Sequence, residues 1–83
     1  MAAALYRVAH PEIYVPIELA RWEPHLARIQ AEVEANAELV TDAIELGLDE
    51  GAITKRREEL AWSERSLAFV AGKMEQIRAK LDR

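Results

Sequence analysis

Apolar residues along the chain form two helical stripes separated by a short glycine-bounded break. Leu19, Trp22, Leu26, Ile29, Val33, Ala37, Val40 and Ile44 follow one another at steps of three and four. That spacing marks a single buried face of an α-helix. Ile53, Leu60, Leu67, Met74 and Leu81 then recur every seven residues. Val70 and Ile77 fill the intermediate phase late in this run, and Arg56 and Ser63 occupy it early. The second stripe is therefore a heptad seam, strong in its C-terminal half and weak in its N-terminal half. Between the stripes, Gly47-Leu48-Asp49-Glu50-Gly51 reads as a helix stop, a turn and a new start. Asp49 and Thr54 both suit the N-cap of the second helix, and spacing alone does not choose between them.

The pattern predicts a first helix over about 16–47 and a second over about 52–82. Proline is favoured at a first helical position, and Glu18 suits the positive end of the helix dipole. Pro24 interrupts the first stripe without breaking its phase. A kinked helix is expected there, or a short helix over 17–22 followed by a long one from Glu23. Each full helix is about 45 Å long, and a tight turn between two such helices folds them back on each other. Residues 1–15 differ in character, with Tyr6, Val8, His10, Pro11, Ile13, Tyr14 and Val15 close together. They read as an extended N-terminal arm docked on the helices, since residues preceding proline favour extended backbone. The expected fold is all-α: an antiparallel two-helix hairpin with an extended N-terminal arm, dimerising into a four-helix bundle.

The dimer is expected because the stripes do not exhaust the apolar positions. Leu26, Ile29, Val33, Val40, Ile44, Leu60, Leu67, Met74 and Ile77 suffice for a hairpin or dimer core. Trp62 and Phe69 lie on the opposite side of the second helix from Leu60, seven residues apart. Leu39 and Leu46 likewise face away from the Leu26/Val33/Val40 line. A lone hairpin of this size gathers little core without staples or association. Tyr6, Ile13, Tyr14, Trp62 and Phe69 are the candidate partner-binding residues. Asn36, beside the first stripe, reads as a boundary residue facing water, or alternatively as a polar group fixing the register of two copies.

Composition narrows the classes. The 83 residues allow one domain, with no cysteine, three glycines and a net charge of -4. Disulfide scaffolds and thiolate metal sites are excluded. No apolar run approaches the roughly 20 residues of a membrane span. A secretory leader is not evident, so a cytoplasmic location is expected. Charge is unevenly distributed. Residues 26–50 hold one base and seven acids, whereas residues 51–83 hold eight bases and five acids. An acidic helix beside a basic one is mutually attracted, modestly and in a salt-dependent way. Lys55-Arg56-Arg57 is expected to pair with acids of the first helix near Asp42 and Glu45.

Catalytic and metal chemistry find little support. His10 and His25 lack a Glu three residues earlier, so the Glu-x-x-His spacing of a di-metal bundle is absent. Ser63, Ser66, Thr41 and Thr54 carry no nucleophile motif, and there is no glycine-rich phosphate loop. No metal, cofactor or enzymatic activity is expected. The net negative charge disfavours nucleic acid. The chain reads as a non-catalytic protein-interaction module, an adaptor or inhibitor of a larger protein, that associates with itself and with an unidentified protein. A structural subunit whose function is self-association is the alternative, and a DNA-associated regulator is less favoured.

Overall fold

The computed structural model describes residues 10 to 82. Helix α1 runs Pro11–Glu45, helix α2 runs Glu50–Ala79, and a 3-10 turn, Lys80–Asp82, closes the described chain. The two helices lie antiparallel against each other as a hairpin, 58 × 22 × 15 Å overall, with no strand among the described residues.

The start of α1 corrects the expected arm. Residues 11–15 are helical, with His10 at the N-cap position and Pro11 opening the first turn. The His10 carbonyl accepts the first bonds, from the N–H groups of Ile13 and Tyr14 at 3.1 and 3.3 Å. Pro11 satisfies the same first-position preference that had pointed to Pro16. Continuing the helix back by one heptad from Trp22 buries Val15. The remainder of the arm, including Tyr6, lies outside the described residues.

Neither internal proline ends α1, which contains both Pro16 and Pro24. Each proline deprives the carbonyl four residues earlier of its partner, at Glu12 and Ala20. Glu12, Pro16, Ala20 and Pro24 are all exposed, so these carbonyls sit on the solvent side, where water serves them.

The turn between the helices is a Schellman motif. Leu48 N–H donates to the Ala43 carbonyl at 3.0 Å and Gly47 N–H to the Ile44 carbonyl at 3.1 Å. Gly47 adopts the left-handed conformation this closure requires, at φ 68°. Asp49 then caps α2, its side chain accepting from Ala52 N–H at 2.8 Å.

The seam on α1 is Val15, Trp22, Ile29, Asn36 and Ala43, one residue every seven, with Leu19, Leu26, Val33 and Val40 beside it. Opposite run Arg56, Ser63, Val70 and Ile77. Ile29, Val70 and Met74 form the centre of the core, with Leu19, Trp22, Leu26, Val33 and Leu67 packed around them. Ile77 is buried, and Val40 and Leu60 are half-buried. Ile44 does not join this core. It is 50% exposed, whereas Ala43 is 2% exposed. The 3.5-residue repeat carries the seam through Asn36 and Ala43 rather than through Ala37 and Ile44.

Asn36 is a half-buried boundary residue, and the register it bonds across is that of its own hairpin. Its Nδ2 donates to Ser63 Oγ at 3.2 Å, and Ser63 Oγ donates to the Leu60 carbonyl at 2.8 Å. Ser63 is buried, and no buried side-chain polar atom among the described residues lacks a partner. The expected pairing of the basic cluster with Asp42 and Glu45 is also replaced. Arg56 pairs within its own helix, with Glu59 at 3.3 Å. At the open end of the hairpin, Lys80 reaches across to Glu18 at 3.2 Å.

Candidate protein interface

The seam geometry decides which residues are left outside. On α2, Trp62 and Phe69 each precede a buried seam residue, Ser63 and Val70. They therefore point to one flank of the hairpin and stay 67% and 60% exposed. Between them and α1 lies a shallow groove lined by Ile29, Trp62, Arg65, Ser66, Phe69 and Val70. Ile29 and Val70 form its apolar floor. A second depression shares that floor and is lined on the α1 side by Arg21, Trp22, His25 and Arg28. A third shares Trp62 and extends toward the turn, lined by Glu32, Asn36, Lys55, Glu58, Glu59 and Ser63. The three make one continuous face.

Cations frame its aromatic rings. The Arg65 guanidinium sits 5.4 Å from the Trp62 ring centroid, and Lys73 Nζ sits 5.6 Å from that of Phe69. Such contacts at exposed sites contribute about 0.5–1 kcal/mol and cover part of each ring. Trp22 meets His25 edge-on, ring centroids 6.1 Å apart. The face is divided by charge. Toward the open end, Arg21, Arg28 and Arg65 line it with no carboxylate among the lining residues. Glu18, further toward that end, is bound to Lys80. Toward the turn the lining holds Glu32, Glu58, Glu59 and Lys55, with Glu59 also paired to Arg56.

Of the residues singled out from sequence, the structure brings Trp62 and Phe69 onto one surface. Ile13 lies apart, 45% exposed near the start of α1 together with Ile17, and Tyr14 is half-buried. Sequence reasoning missed the basic half of the face. Arg21 and Arg28 are seven apart, and Arg65 and Lys73 follow Trp62 and Phe69 by three and four residues, spacings that put each cation over its ring. Among the described residues, no group of three His, Cys, Asp or Glu side chains converges as a metal site would require. No described helix is long and apolar enough to cross a membrane. Comparison of the chain with protein-family models, with curated proteins and with solved structures finds no match.

Proposed function

We propose that this chain is a non-catalytic protein-interaction module, an adaptor or inhibitor that associates with itself and with a larger protein, and that the face carrying Trp62 and Phe69 is one of its binding surfaces. The observation that carries this reading is the exposure of two large aromatic side chains side by side above the Ile29/Val70 floor. Contiguous apolar surface of that kind on a small protein marks a place where another macromolecule sits. Aromatic and arginine side chains together are the composition of binding hot spots. The exposed Ile13 and Ile17 give the open end of the hairpin a second, smaller apolar surface.

Photo-crosslinking in the native host tests the reading. A benzophenone side chain replaces Phe69 in one variant and Ile17 in another. The module reading expects a discrete crosslinked species from position 69, abolished by Trp62→Asp. A position-69 chain that remains uncrosslinked, or yields only a diffuse smear, overturns it. The second reading is a structural subunit, favoured by the division of the face into a basic and an acidic half. Products at twice the chain mass from both positions support the subunit. A different protein captured at position 17 supports the adaptor.

A further inference from the structure

We propose that the occupant of the Trp62/Phe69 face is a second copy of this chain, packed antiparallel about a two-fold axis that crosses α2 midway between those two aromatics. The inference rests on the reading of this face as a protein-binding surface and names its partner. It then leaves the open ends, with Ile13 and Ile17, for the larger protein.

The face is self-complementary in a way that only this arrangement uses. A face-to-face pair related by a two-fold axis lying across the helices turns one copy end for end. The open-end half, with Arg21, Arg28 and Lys73, then covers the turn half carrying Glu58 and Glu59, while Arg65 lies at the axis. A parallel pair would set basic on basic and acidic on acidic, which costs free energy. An isologous interface requires that if one residue meets another, the reverse contact is also made. The sequence meets that requirement at two levels. Exchanging Trp62 with Phe69 places each aromatic over the other in the partner. Glu58 lies four residues before Trp62, and Lys73 lies four after Phe69. The same operation therefore sets Glu58 against the Lys73 of the second copy, twice per dimer.

Helix α1 obeys the same symmetry. Asn36 bonds Ser63, so the level midway between Trp62 and Phe69 falls near residues 33–34 of α1. Rotation about that level carries Arg28 toward Leu39 and His25 toward Asp42. Leu39 follows Glu32 by seven residues and so shares its side of the helix. The area is sufficient. The overlap has the length of α2, roughly 45 Å, and over the 15 to 22 Å width of the molecule this brackets the roughly 800 Å² per partner of a standard interface. Need points the same way, because only six apolar side chains are buried among the described residues.

Sedimentation velocity on the full chain at micromolar concentration tests the proposal. The unmodified chain is expected to run as a dimer. Glu58→Lys and Lys73→Glu are each expected to raise the dissociation constant about tenfold or more, because every change is made twice across the axis. Positions 58 and 73 are fifteen residues apart on one helix and do not meet within a chain. Mixing the two weakened variants should therefore restore dimers. In the mixed pair one chain is basic at both positions and the other acidic at both, so each 58-to-73 contact across the axis again joins opposite charges. Circular dichroism confirms that each variant keeps its helices. A chain that stays monomeric at micromolar concentration overturns the proposal, as do dimers indifferent to both substitutions or a mixture that fails to recover. A monomer that instead binds a labelled single-stranded oligonucleotide would assign the basic aromatic face to nucleic acid. A monomer whose position 69 crosslinks to a different protein would keep the binding-face reading and remove the second copy from it.

Discussion

Asn36 and Ser63 show what one polar pair inside an apolar seam does. Periodicity places a seam residue at either 36 or 37, and hydropathy favours Ala37. The fold takes Asn36 because the partner helix offers Ser63 at the matching level. No pattern within one helix contains that information, since it depends on what lies across the interface. A polar pair with one buried and one half-buried member fixes register at some cost in stability. Asn36→Ala leaves Ser63 bonded to the Leu60 carbonyl and removes one hydrogen bond. It should cost about 1 kcal/mol and lower the melting temperature by roughly 4–8 °C. Combining Asn36→Leu with Ser63→Ala should raise the melting temperature but broaden the amide resonances, as neighbouring registers become accessible. The turn is better defined by sequence. A Cβ at Gly47 would meet nothing within 4 Å, so its requirement is purely its positive φ. Gly47→Ala should cost about 1 kcal/mol and Gly47→Asn clearly less, as read by urea midpoints. Asp49→Ala should cost about 1 kcal/mol through the lost cap, whereas Thr54→Ala should be near neutral.

At the level of elements, the two helices, their antiparallel order and the glycine turn were legible because each rests on local rules. The beginning of α1 was not. Pro11 and Pro16 carry the same first-turn preference, and what separates them is a tertiary fact, the burial of Val15 one heptad before Trp22. The passage of α1 through Pro24 has a related cause. Its unmatched Ala20 carbonyl faces solvent, so the penalty is smaller than in a buried helix, and the seam on the other side holds the helix together. Pro24→Ala restores a backbone bond but frees the unfolded chain. The net gain is expected to be about 2 kcal/mol at most, seen as a higher melting temperature with unchanged association. A fall in melting temperature would mean that Pro24 bends α1 into a shape the core requires.

For the whole molecule, the division between seam and flank separates stability from association. Leu67 packs on the Ile29/Val70/Met74 core, and Phe69 lies on the exposed face. Leu67→Asp should therefore abolish cooperative unfolding, since an unpaired charge in that core is strongly unfavourable. Phe69→Asp should leave the helical circular dichroism signal largely intact while shifting sedimentation toward monomer. Equal loss of structure in both variants would show that the exposed face and the core are one cooperative unit. The site was only half visible in the sequence. Trp62 and Phe69 stand out as surplus to the seam, but Arg21 and Arg28 join them only once α1 and α2 are placed side by side. The hairpin also sets Pro11 and Asp82 at the same end of a rod 58 Å long. Two rods paired end for end would display those ends at opposite poles. Such an assembly is a bivalent linker: a target that presents two docking points at that spacing would be held with avidity, because after the first contact the second is intramolecular.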